Sequence, residues 1–236
     1  THHKVAIFKG VFPLLMRFSG HDRDALLREA EDALILADAV QPGDLLDPAT
    51  CTRARKVFDR WSTVWFMALV FRSLPDSYAA AAGVHVLGRV SDLATDPFRR
   101  AGETAFFVMD LLGSDKGWHE GAMQPDGAAL QSVRGVRAMH ALMADRLLNH
   151  EWDSAVYGVP FNQEDVIGTA LSFSTSTLDM LDELGIEMDE QTRNAVVRFW
   201  LGIGFLLGAP HDALMVPGPE GTLRPLDHRE ARALSL

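Results

Sequence analysis

Arg137 and His140 stand one helical turn apart in "VRGVRAMHALM", the run from Val133 to Met143. At about 100° per residue, Val133, Val136, His140, Met143 and Leu147 fall on one stripe, and Arg137 lies about 60° from its centre. Both polar side chains therefore face the interior or its edge. A buried guanidinium does not neutralise, so it needs an anion, supplied by the protein or by a ligand. A neutral imidazole needs less, one hydrogen bond donated and one accepted. On periodicity alone His140 reads as a satisfied core or pocket-edge histidine. With Arg137 beside it, the pair also suits a flat apolar cofactor with an anionic rim, haem being one, with iron for the imidazole and propionates for the guanidinium. Both readings stand at this point.

The next helix holds hydroxyls at Thr169, Ser172, Ser174, Thr175, Ser176 and Thr177, a dense set for a helix interior. Small residues there let a planar ligand or another helix approach closely. Other chemistries lack their residues. There is no Glu-x-x-His pair for a di-iron carboxylate bundle, no His-Glu-x-x-His, no Gly-x-Ser-x-Gly elbow and no P-loop. Gly202, Gly204 and Gly208 miss the dinucleotide spacing and follow no strand, so they read as close-packing positions. Cys51 is the only cysteine, which leaves no internal disulfide and no cysteine-based cluster, as in a reducing compartment. His85, His119, His150, His211 and His228 sit in or near loops and read as solvated. His2 and His3 are set aside as possible tag remnants.

The elements that must position these residues are helical almost throughout. Strand signals are nearly absent. Helices are expected at about Arg23–Val40, at Thr52–Phe71 with a break at "SLPDS", from Tyr78 to about Gly83, at Pro97–Leu112, at Ala128–Asn149, from Asn162 to Leu184 and at Asp189–Gly208. Asn162 is a good N-cap with acidic residues in the following turn, and Gly185 closes that helix. "GSDKGWHEGAMQPDG" reads as a long loop and residues 209–236 as a surface tail. The 236 residues, 47% hydrophobic and 23% charged, fit one all-α domain able to enclose a cavity. A formal net charge of -10 with no Lys/Arg block speaks against nucleic acid as a partner. "FWLGIGFLLGA" is too short to span a bilayer, which needs about 20 residues, and reads as a buried helix. With no leader pattern at the N-terminus, a cytoplasmic location is expected. Oligomeric state is not legible.

"RRAGETAFFV", "VRAMHALM", "WDSAVYGVPFNQEDVIGTALSFS" and "FWLGIGFLLG" together resemble the family named for the rubber oxygenase (latex clearing protein) catalytic domain. The likeness runs from about Gly83 to Gly208, and its most specific parts are the Arg-x-x-His helix and the Gly-x-Pro-x-Asn-Gln-Glu-Asp turn. It implies an all-α fold around haem b and the use of dioxygen on apolar, electron-rich substrates. The family's helix arginine falls on Arg137, and its axial position, lysine in the rubber-cleaving enzymes, falls on His140. The glutamate proposed there as a base falls on Glu103, beside Thr104.

One departure is informative. The resemblance places Leu171 where the rubber-cleaving enzymes carry an iron-binding histidine, and leucine cannot bind iron. The expectation is then a haem held by His140 alone, with Arg100 for a propionate, Arg137 either on a propionate or polarising bound oxygen as a catalytic residue, and an open face lined by Leu171, Ser174 and Thr175. Glu103 would be distant from dioxygen on that face. The activity implied is that of a haem-dependent oxygenase on a small to medium apolar substrate. The alternative is a non-catalytic haem or apolar-ligand binder, a sensor or carrier, whose pocket Leu171 closes.

Overall fold

The computed structural model describes residues 43–90, 95–112, 127–150, 152–219 and 222–235. The helix expected at Arg23–Val40 and most of the loop carrying His119 lie outside them. A 3-10 turn, Gly43–Leu46, leads into α1, Pro48–Ala68, which Asp47 caps by accepting from the backbone N–H groups of Ala49 and Thr50. Side-chain oxygens of Asp153, Asn162 and Asp189 open later helices in the same way. Such side chains satisfy N–H groups that have no partner within the helix.

The break expected at "SLPDS" is not there. Helix α1 widens into a π-turn, Leu69–Ser73, and runs straight on into α2, Leu74–Ser77. Pro75 directly follows the π-turn within this continuous helix, Ser73 and Leu74 both keeping helical φ/ψ, and the chain leaves the helix only after Tyr78. Helix α3 spans Ala81–Val90, beyond the expected end at Gly83, and α4 spans Pro97–Leu112. Helix α5 is Ala128–Asn149, and a single turn, α6, follows at Ser154–Tyr157. Helix α7, Gln163–Leu171, passes through a second π-turn, Ser172–Ser176, into α8, Thr177–Glu183. Helix α9 is Glu190–Leu207, ended by Gly208 at φ +119.

The fold is all-α, with α9 as its axis. Helix α9 packs on α1, α5 and α7, and it is apolar all round over Phe199–Leu206 because helices cover every side. Gly202 and Gly204 are close-packing positions, as their spacing suggested. A Cβ on Gly202 would lie 2.4 Å from Leu46 Cγ, and one on Gly204 would lie 3.2 Å from Ala170 Cβ. No helix among the described residues is long and apolar enough to cross a membrane.

Residues after Pro210, expected as a surface tail with a turn or two of terminal helix, do end in a short helix, and they pack on the core. A 3-10 turn, His211–Leu214, precedes a two-stranded antiparallel hairpin, β1 Met215–Pro217 and β2 Leu223–Pro225, and then α10, His228–Leu234. The strands are too short to show alternation, so periodicity could not reveal them. Leu214, Leu226 and Ala231 join the main core, and a reciprocal capping box between Asp227 and Glu230 starts α10.

Candidate functional site

Helix α5 spans two apolar clusters. Leu130 and Val133 near its start belong to the main core, while Leu147 near its end joins Val86 and Trp152 in a smaller cluster flanked by Tyr157 and Phe161. His140 lies between them, about 10 Å along the helix from either Val133 or Leu147. Its imidazole stacks on Phe161, ring centroids 4.7 Å apart and planes inclined by 24°. Nδ1 is buried and has no hydrogen-bond partner. Burial and the nearby Arg100 charge push the His140 pKa down to about 4, so the ring is neutral near pH 7 and keeps a lone pair for a ligand. The core-histidine reading requires satisfied nitrogens, and this histidine lacks that.

Arg137, one turn earlier, points at the end of α9. Its Nη1 donates to the Leu206 carbonyl at 2.8 Å, and the Cβ position at Gly208 is 4.0 Å from its Cζ. The anion demanded by a buried guanidinium is thus partly supplied by the negative end of a helix. Gly208 is needed for its left-handed backbone, φ +119, and a Cβ there would only touch the guanidinium at ordinary contact distance. Burial holds the Arg137 pKa below its usual value, as for a cation not fully compensated.

Helix α4 packs against α5 and presents Arg100 toward His140, close enough to act on its charge. Both oxygens of Glu103 are engaged, Oε1 by Arg99 and Oε2 by Arg100. Thr104 donates its hydroxyl to the Arg100 carbonyl at 3.1 Å, within its own helix. The structure therefore gathers His140, Arg100 and Glu103 in one region.

Leu171, Ser174 and Thr175 are buried at the second π-turn. Ser174 Oγ donates to the carbonyls of Ala170 and Leu171, and Thr175 Oγ1 donates to the Leu171 carbonyl at 2.7 Å. Ser235 is a further partner of Thr175. The π-turn packs on the first π-turn, on α8 and on α9, and these hydroxyls serve its own backbone. The hydroxyl set is a packing device here: Ser172 Oγ lies 2.8 Å from Ser73 Oγ and 2.9 Å from Ser77 Oγ, joining the two π-turns.

Two features had no signal in composition or spacing. Phe161 has φ +54, the one non-glycine residue with positive φ among those described, a conformation costing about 1–3 kcal/mol for a bulky side chain. His228, expected as solvated, is buried with its Nε2 unpartnered. Of the other histidines, His85 is exposed and lies 4.3 Å from the Tyr157 ring, and His150 is exposed.

No group of three or more His, Cys, Asp or Glu among the described residues could hold a metal ion. A haem asks for less, one axial side chain and cations for its propionates. A neutral imidazole with an orphaned buried nitrogen, near Arg100 and Arg137, is such a donor set. The described residues around His140 fit that group.

A family model described as "ER-bound oxygenase mpaB/B'/Rubber oxygenase, catalytic domain" matches residues 55–224, well over half of the chain. No curated protein and no solved structure matches.

Proposed function

The chain belongs to the ER-bound oxygenase mpaB/B'/rubber oxygenase catalytic-domain family, and from that premise we propose a haem b-dependent oxygenase acting on a small to medium apolar, electron-rich substrate. The observation that carries the reading is His140, a neutral imidazole whose buried Nδ1 has no protein partner. His140 is its iron ligand, and Arg100 and Arg137 are the cations available to the propionates. Bound haem would supply the activation of dioxygen, which no amino-acid side chain provides.

The protein's own share of the chemistry is placement and exclusion of water. Arg137, braced on the Leu206 carbonyl, keeps a fixed positive charge one turn from His140. Glu103 pairs with both Arg99 and Arg100 and offsets one of their two charges, with Asp96 also on Arg99, and so limits how much positive charge faces the imidazole. The aromatic and aliphatic side chains of Phe161, Trp152, Val86 and Leu147 make the surroundings apolar, in keeping with an apolar substrate. Leu171 lies in the main core and supplies no second ligand.

Absorption spectra of the purified protein loaded with haem test this. We expect a Soret band, a ferrous form that binds carbon monoxide, and dioxygen-dependent turnover of an alkene. His140→Ala should abolish or strongly shift the band. Spectra unchanged by that substitution would remove His140 as the ligand, and protein that retains no haem would end the cofactor reading.

A further inference from the structure

We propose that Phe161 is a positioning residue for His140: its ring, fixed by a strained turn, holds the imidazole plane and shields it from water in place of the usual hydrogen bond. Ligating histidines almost always donate their second N–H to a carboxylate, carbonyl or water, and that bond sets the ring's orientation. Here neither imidazole nitrogen makes a hydrogen bond among the described residues, so whichever one takes a ligand, the other lacks that bond. What the imidazole does have is a near-parallel aromatic face at 4.7 Å.

The segment before α7 is built to deliver that face. Trp152 is buried, and its Nε1 donates to the Gly158 carbonyl at 2.8 Å. Gly158 turns the chain at φ +70, and the buried Pro160 stiffens it. Asn162 then pins the other side, with Nδ2 donating to the Val159 carbonyl at 3.1 Å and to Asp165 Oδ2 at 2.9 Å, and Oδ1 accepting from the Asp165 N–H. Between these anchors Phe161 takes φ +54. A side chain of that size stays in the left-handed region only where its surroundings over-determine it, and such strain gathers at functional sites. Phe161 also packs against the cluster of Val86, Leu147 and Trp152, which holds its ring in place.

The role of Phe161 in holding a ligand rests on the haem reading; its contact with His140 does not. The test therefore has two arms, run on Phe161→Tyr, Phe161→Leu and Phe161→Ala, with circular dichroism to confirm folding and Leu replacing Ala if Ala fails to fold. In the haem-free arm, acylation of His140 by diethyl pyrocarbonate is followed by peptide mass spectrometry, with His140→Gln identifying the peptide. Acylation should be severalfold faster in the variants without a ring and unchanged in Phe161→Tyr. In the second arm, haem transfer to excess apomyoglobin should be about tenfold faster without the ring, the lower range for loss of an outer-shell partner, and close to wild type for Tyr. Equal acylation across all variants would overturn the inference. Equal haem retention by folded variants would overturn the positioning role. Faster acylation with no haem retained by the wild type would instead defeat the cofactor reading and leave the stack upheld.

Discussion

Arg137 reaches across to a main-chain carbonyl 69 residues further along the chain, and that bond is charge-assisted. Arg137→Leu should therefore destabilise the fold by about 1.5–3 kcal/mol, the range for hydrogen bonds to charged groups, in urea unfolding at pH 7. Arg137→Lys should recover only part of this, because an ammonium lacks the planar fork. That Arg137 and His140 face inward was legible from spacing alone, since a stripe of valine, methionine and leucine fixes a helix face. Their partners were not. A carbonyl has no sequence identity, so nothing in "FWLGIGFLLG" distinguishes Leu206 as an acceptor. The orphaned state of His140 is likewise a property of its neighbours. Nothing in the sequence marks Phe161 beyond its place in a turn motif, because a positive φ at phenylalanine contradicts every local preference and only the packed structure enforces it.

Caps and glycines made the helix limits readable. Pro97 and Leu112, Ala128 and Asn149, and Asp189 and Gly208 bound the elements as local chemistry suggests. What local chemistry misjudged was "SLPDS", because a π-turn directly upstream accommodates Pro75 within a continuous helix. The two π-turns pack on one another, and Ser172 bonds both Ser73 and Ser77 across the contact. Ser172→Val should cost about 1–3 kcal/mol, since the buried Ser73 hydroxyl would lose its cross-helix partner; a thermal or urea midpoint equal to wild type would show the contact to be idle. A second element-level expectation concerns α9. Alanine is the better helix former, so Gly202→Ala on an exposed face would stabilise. With Leu46 Cγ 2.4 Å from the new Cβ, overpacking reverses the sign and destabilises by about 1–3 kcal/mol. Gly204→Ala meets only one contact at 3.2 Å and should cost less, so the ordering of the two variants in urea checks the packing argument.

At the scale of the whole molecule, the C-terminal segment closes the bundle with a device that responds to acid. Helix α10 docks on α9 and on the second π-turn. His228, at its start, is buried with Nε2 unpartnered, and its N–H donates to Asn194 Oδ1 at 2.8 Å. Its ring faces Arg193 of α9, Asp179 and Asp182 of α8, and Arg232 of its own helix. Burial first, then the Arg193 charge, lower its pKa from 6.5, and the two aspartates offset this only in part. A depressed histidine pKa means that the unfolded chain binds the proton more readily than the folded one. Stability is then complete above about pH 6.5 and falls as the pH drops toward the folded-state value. Arg232 pairs with Asp179, and Arg193 with Asp182, so the cations that repel a protonated His228 stay in place through this range. The hairpin and α10 depend on this docking. The sequence offered no view of it, because the strands are too short for a period and the histidine's partners come from three separate helices. Hydrogen exchange at residues 210–235 should accelerate between pH 7 and pH 5.5, after correction for intrinsic rates, before exchange in α9 does. His228→Gln, which cannot gain a proton, should flatten that dependence, and equal pH profiles in the two proteins would assign the release to another group.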